Sequence, residues 1–268
     1  MKNALKWFYL NSGGVAYSSE FQAILDNATS RGYTQTNYKA QTDAFISGMV
    51  SDGDWAEADI GYIFATDQAD FSRINIKSPS NYLATVGGTG AAHTDKEGWT
   101  SGGGGWLDTG WNLSTNSVKY TQDSASIHIG ITVAPSTAVQ TLAGVRNTGT
   151  NNGLRVNNSS TTQLSMQINS TATSVITRNY SNKLYSLYRN AASGANSVQL
   201  FEDGVNIGST NITSSALESL ELSILALNNG GSRLGFTNAK IGFVLVGSKN
   251  INSVNLTSRW NTFKSAIA

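Results

Sequence analysis

The chain has 268 residues and no cysteine, which excludes disulfide staples and thiolate metal sites and leaves the fold to packing alone. Charge is scarce. Only 13% of residues are Asp, Glu, Lys or Arg, and 18 basic against 17 acidic residues leave a formal net charge of +1. Basic residues are not concentrated in any segment, which excludes a nucleic-acid footprint, and no apolar run reaches bilayer-spanning length, which excludes helical membrane insertion. Solubility then rests on hydroxyls and amides, a composition shared by secreted β proteins and by surfaces that pack into assemblies. Proline occurs twice, at Pro79 and Pro135, and histidine twice, at His93 and His128. Two histidines so far apart, with no thiol beside them, do not make a zinc site, and no metal ligand is assigned. The apolar patch Trp7 to Leu10 is too short and too aromatic for a signal-peptide core, so no export signal is expected. Asn-x-Ser/Thr sequons such as Asn112, Asn158, Asn169 and Asn211 are what chance supplies in a chain this rich in Asn, Ser and Thr.

What is present is alternation. From Ala125 every second residue is apolar (Ala125, Ile127, Ile129, Ile131, Val133), while Ser124, Ser126, His128, Gly130 and Thr132 take the other face, the pattern of a half-buried strand. Further strands are predicted at Asp59 to Ala65, from Trp106, and then at hairpin spacing: Thr141 to Arg146, Gly153 to Asn157, Leu164 to Ile168, Ser174 to Arg178, Lys183 to Arg189, Val198 to Glu202, Leu220 to Asn228 and Lys240 to Val246. Their linkers, among them Asn151-Asn152-Gly153, Asp203-Gly204 and Asn228-Asn229-Gly230-Gly231, supply positive-φ turn positions. Such a series predicts a mainly β, antiparallel sandwich.

The first fifty-odd residues follow a different period. Ser19 to Gln22 fits a capping box with Ser19 accepting from the Gln22 N–H, and Phe21, Ile24, Leu25 and Ala28 fall on one helical face. A second helix is predicted from about Asn37 to Val50, with Tyr38, Phe45, Ile46, Met49 and Val50 mostly on one side and Asp52-Gly53-Asp54 as its stop. The resulting αα-hairpin needs a partner for its apolar stripe, either the sandwich or another subunit. A C-terminal helix places Leu256, Trp260, Phe263 and Ile267 along one face and is expected to dock on the sandwich. Two regions follow: residues 1–53, a helical anchoring segment, and residues 54–268, the sandwich.

The order Trp55-Ala56-Glu57-Ala58-Asp59, Trp99-Thr100, Gly104-Gly105-Trp106-Leu107-Asp108-Thr109-Gly110-Trp111-Asn112, Asp123-Ser124-Ala125-Ser126, Tyr188-Arg189-Asn190, Phe201-Glu202-Asp203-Gly204-Val205, Leu225 to Asn228 and a final helix to Ile267 resembles concanavalin A-like (laminin-G-like) jelly-roll domains of bacteriophage and prophage virion proteins. The resemblance spans roughly Asp54 to Ile267. It implies a non-enzymatic virion component of tail, fibre, spike or capsid decoration, located in the virion, contacting other virion proteins and forming a homo-oligomer, a trimer first among the options. It implies neither a cofactor nor catalysis. On this reading the assembly contact is the stripe Phe21, Ile24, Leu25, Phe45 and Met49 together with Trp7 and Phe8.

The residues offer little reactive chemistry. Jelly-roll glucanases carry their carboxylates as E-x-D-x-x-E on one strand; the nearest match, Glu57 to Tyr62, has Tyr62 in place of the third carboxylate. A retaining glycosidase needs two carboxyls about 5 Å apart, and no later strand offers such a pair, so no catalytic residue is assigned. A calcium site on Asp203 or Asp108 would lack the dense acidic loop that calcium requires. The Gly102 to Gly105 run lacks the Lys-Ser/Thr ending of a phosphate loop and is expected to permit a sharp bend into the Trp106 strand. The alternative to a purely structural role is a lectin-like module for host-surface glycans. It would use Trp99, Trp111 and Tyr120 as exposed rings, against the competing reading in which Trp106 and at least one other tryptophan are core or stack against the N-terminal segment.

Overall fold

The computed structural model describes residues 15–137, 140–147, 153–160, 163–178, 180–194 and 196–268. Along the chain run α1 (Ser19–Ser30), α2 (Lys39–Asp52), α3 (Asp54–Glu57), β1 (Ala58–Ile63), α4 (Ala69–Ser72), β2 (Thr85–Gly88), β3 (Ala92–Thr94), β4 (Gly98–Thr100), β5 (Gly105–Asn112) and α5 (Leu113–Asn116). They are followed by β6 (Ala125–Val133), β7 (Gln140–Arg146), β8 (Gly153–Ser160), β9 (Gln163–Ser170), β10 (Ser174–Thr177), β11 (Leu184–Arg189), β12 (Val198–Glu202) and β13 (Val205–Thr210). The chain closes with β14 (Glu221–Ile224), β15 (Leu227–Asn229), β16 (Ser232–Leu234), β17 (Lys240–Gly247) and α6 (Ser253–Ile267).

The strands form two sheets. The first has the order β13-β12-β11-β6-β17-β4-β3, with β1 also on β17; the second has the order β10-β9-β8-β7-β14-β5-β2, with the β15–β16 hairpin attached to β7. The pairing is antiparallel apart from the parallel β7–β15 contact. Between the sheets lies one core, to which Ile127, Ile129 and Ile131 of β6 contribute beside Leu107, Trp111, Val145, Val156 and Ile168. This is the mainly β, antiparallel sandwich that the alternation predicted, with the concanavalin A-like architecture that the resemblance implied.

A second core covers the outer face of the first sheet. Phe21, Ile24 and Leu25 of α1, Phe45 and Met49 of α2, and Leu256, Trp260 and Phe263 of α6 pack there with Phe243 and Leu245 of β17. Phe45 meets Phe243 edge-on at 5.1 Å and Phe263 at 5.5 Å, and the Trp260 ring stacks on Phe243 at 5.5 Å. That stacking depends on two missing side chains: a Cβ on Gly130 would lie 2.7 Å from the Trp260 ring, and one on Gly242 2.9 Å. The second face of β6, predicted to be solvated, is therefore also buried, with Ser126 and His128 fully enclosed.

The same packing corrects the assembly contact. Phe21, Ile24, Leu25, Phe45 and Met49 are all 4% exposed or less, because the sandwich and α6 supply the partner surface within the chain itself. These side chains are not available to a neighbouring subunit. Trp7 and Phe8 lie outside the described residues.

Local details differ by small shifts. The N-cap of α1 is Ser18, not Ser19: its Oγ accepts from the Phe21 N–H and donates to Asp43, tying α1 to α2. Helix α2 ends at Gly53, whose φ of +84° only glycine adopts freely, at the predicted stop. The predicted strand Leu220 to Asn228 breaks into β14 and β15 because Leu225 takes a φ of +72° and turns the chain.

Candidate functional site

Strand β5 shows why rings near the glycine run sort as they do. After the bend at Gly102 and Gly103, which take φ of +56° and +98°, side chains alternate strictly, so Leu107, Thr109 and Trp111 enter the core while Trp106 and Asp108 face outward. Trp111 is 0% exposed and meets Tyr120 edge-on at 5.9 Å; Tyr120, 1% exposed, donates to Asn169 Oδ1 at 2.6 Å. Trp99, 5% exposed, donates from its indole N–H to Ser72 Oγ at 2.9 Å. None of Trp99, Trp111 and Tyr120 presents a ring face to solvent, which corrects their assignment as a sugar platform. Trp106, which the competing reading put in the core or against the N-terminal segment, covers Gly87 and Gly88 on the outer face and donates to Asp108 at 2.7 Å.

The charged and titratable residues singled out in the sequence are held by structural bonds. Asp59 accepts the backbone N–H groups of Val118, Lys119 and Tyr120, and Glu57 accepts from Ser248 and Asn250, the Ser248 bond above all holding it below the usual carboxylate range. Asp108 pairs with Arg233, and Asp203 with Lys183. His93 bonds to the Phe64 carbonyl oxygen at 3.0 Å, and His128 lies between Ser186 Oγ at 2.8 Å and Ser126 Oγ at 3.0 Å, where burial pushes its imidazole down to about 3. Glu202 is enclosed by Arg178, Lys183 and Tyr185.

Open space with suitable chemistry lies elsewhere, beside α6 on the outer face of the first sheet. On β11 and β12 the inward residues are Leu187, Val198 and Leu200, so Tyr188, Gln199 and Phe201 point outward, and the register sets Tyr188 opposite Gln199. Arg189 turns inward and donates to the carbonyl oxygens of Ile168 and Ile212, which anchors the strand end carrying Asn190. The segment between β17 and α6 runs past these side chains, held by the Tyr188 hydroxyl donating to Ile251 O at 2.7 Å and by the Asn252 N–H donating to Asp54 at 2.7 Å. The Asn252 side chain then caps α6. A cavity of about 370 Å³ results, lined by Tyr188, Asn190, Gln199, Phe201, Lys249 and Asn250, and by residues 251–254.

A row of rings leads into this cleft. His128 meets Tyr188 edge-on at 5.3 Å and Tyr188 meets Phe201 at 5.2 Å, so the row runs from a fully buried histidine to a partly exposed Phe201. Around Phe201 stand amides: Asn190 donates to Gln199, Lys249 Nζ donates to Asn190 O at 3.0 Å, and Asn250 donates to Glu57 at 3.2 Å. Asp54, behind the rim, is pushed up to about 6, chiefly by burial. Among the described residues, no carboxylate lines the cleft. Such a lining presents hydrogen-bond donors, acceptors and a ring to a polar ligand.

The sequence carried half of this site. Alternation around Val198 and Leu200 places Gln199 and Phe201 outward, but the pairing of Tyr188 with Gln199, and the passage of Lys249 and Asn250 over them, are long-range contacts with no local signal.

No protein-family model matches the chain, and no curated protein sequence matches it. Among solved structures, the CBM40 domain of a Ruminococcus gnavus IT-sialidase bound to α2,3-sialyllactose shares 13% identity with a TM-score of 0.42, covering 56% of this chain and 91% of that one. Domain 4 of AbnA, a GH43 extracellular arabinanase from Geobacillus stearothermophilus in complex with arabinotriose, shares 16% identity with a TM-score of 0.46, covering 76% and 98%. A Trypanosoma rangeli sialidase shares 11% identity with a TM-score of 0.48, covering 79% of this chain and 33% of the sialidase. The likeness is distant and is one of β-sandwich fold.

Proposed function

We propose that this chain is a non-catalytic, glycan-binding β-sandwich and that the cleft between β11, β12 and the 248–254 segment seats the sugar. The observation that carries the reading is the lining of that cleft: a partly exposed Phe201 ring, on which the apolar face of a sugar stacks, stands among the amides of Asn190, Gln199 and Asn250 and the ammonium of Lys249. Amides both donate and accept, which matches neighbouring sugar hydroxyls, and Lys249 is an added donor. Full-length protein displayed multivalently on a glycan array should bind a restricted set of glycans. Phe201→Ala should lose that binding while unfolding within a few degrees of wild type; unchanged binding in Phe201→Ala would overturn the assignment.

The resemblance to virion domains supplies a setting, in which this binding serves attachment to a host surface. The partners are then other virion proteins, and the chain works as a homo-oligomer, a trimer first among the options. Because the helical stripe is covered within the chain, the assembly surface in that setting lies elsewhere. Light scattering on the full-length chain should return three times the chain mass; a monomer at high concentration argues against self-assembly.

A further inference from the structure

On the outer face of the second sheet, Arg146 and Arg155 form no ion pair among the described residues. Val145 and Val156 point into the core, so Arg146 on β7 and Arg155 on β8 project from the opposite face. Across the β7–β8 pair each has a glycine opposite, Arg146 facing Gly153 and Arg155 facing Gly144, so the two side chains are diagonal neighbours, while on their other sides Arg146 faces Asn229 of β15 and Arg155 faces Gln167 of β9. Arg146 Nε donates to Asn229 Oδ1 at 3.0 Å and Arg155 Nη2 to Thr173 Oγ1 at 3.1 Å, both neutral partners. Arg155 Nε is buried and has no hydrogen-bond partner.

Among the described residues, ion pairs join acidic side chains to Arg73, Arg178, Lys183, Arg233, Lys240 and Arg259. Asp108, on the same lateral row as Arg155 through Ser223 and Gly144, is taken by Arg233 and Trp106. Burial, and then the charge of Arg146, lower the pKa of Arg155. Two like charges held near each other, one with a desolvated and unpaired N–H, are a standing cost to the free protein. An oxyanion removes that cost, and the forked guanidinium suits a planar carboxylate or a tetrahedral sulfate or phosphate group.

We propose that Arg146 and Arg155 form an oxyanion-binding site on the outer face of the second sheet. It lies on the opposite outer face from the Phe201 cleft and stands or falls independently of it. The test follows the arginine Nε–Hε resonances of the full-length chain by ¹⁵N NMR during titration with sodium glucuronate or sodium sulfate, ionic strength being held constant with chloride. A saturable shift of the Arg155 or Arg146 signal with either probe supports the site, glucuronate alone marking a carboxylate preference and sulfate alone a tetrahedral one. Arg146→Gln, at a half-buried position that folds without a new buried group, should weaken binding at least tenfold. A shift that never saturates, or that saturates equally in Arg146→Gln, overturns the proposal.

Discussion

His128 offers a sharp test of how the first sheet and its helical cover are packed. The imidazole is 0% exposed, bonded to two serine hydroxyls and edge-on to Tyr188, and burial depresses it from an ordinary 6.5 to about 3. The folded protein therefore keeps a neutral ring through the range in which the unfolded chain takes up a proton. Acidification favours the unfolded state as pH falls below 6.5, and the loss continues until pH 3, where the folded ring titrates as well. Between pH 7 and pH 5 the two proton-binding curves differ by about 2 kcal/mol. His128→Gln keeps hydrogen-bonding capacity for both serines but does not titrate. It should be less stable than wild type at pH 7, and the gap should narrow by about 2 kcal/mol at pH 5. Asp54, pushed up to about 6, acts in the opposite sense, because its folded form takes up a proton first and gains stability on acidification; present in both proteins, it cancels in the difference. Urea titrations at fixed ionic strength at both pH values, with equal m-values, give the comparison. A gap that stays constant with pH would refute the enclosed neutral imidazole.

Three further outcomes follow from the packing. Trp111→Ala should cost about 3–5 kcal/mol by chemical denaturation, the price of a buried ring and the cavity it leaves, and a loss below 1 kcal/mol would contradict its place in the core. Gly130→Ala should destabilise by about 1–3 kcal/mol, because the added methyl meets the Trp260 ring, and a neutral or stabilising effect would show that α6 does not lie against β6. Asp59→Ala should cost about 1–2 kcal/mol through loss of the acceptor for three backbone N–H groups, and it should leave glycan binding unchanged; loss of binding at unchanged stability would give Asp59 a functional role.

The sandwich was legible because period-2 runs such as Ala125 to Val133 and turn pairs such as Asp203-Gly204 encode strand and hairpin locally, and the structure places positive φ at both Asp203 and Gly204. The helices were legible from their apolar faces. The destination of those faces was not, because the surface receiving Phe21 and Phe45 is assembled from β17 and α6, some two hundred residues along the chain. The rings misled for a related reason. Proximity to a glycine run says nothing about which side of a strand a tryptophan takes, whereas counting alternation from Leu107 places Trp111 inward and Trp106 outward. The cleft, built from β11, β12 and the segment before α6, joins positions whose proximity only the register of the first sheet defines.

The most direct measurement of the central claim is a backbone ¹H–¹⁵N map of the full-length chain titrated with a glycan selected from the array. The account predicts shifts concentrated at Asn190, Gln199, Phe201 and Lys249 to Asn252, absent in Phe201→Ala. Shifts confined to another face, or a glycan that binds Phe201→Ala with wild-type affinity, would contradict it.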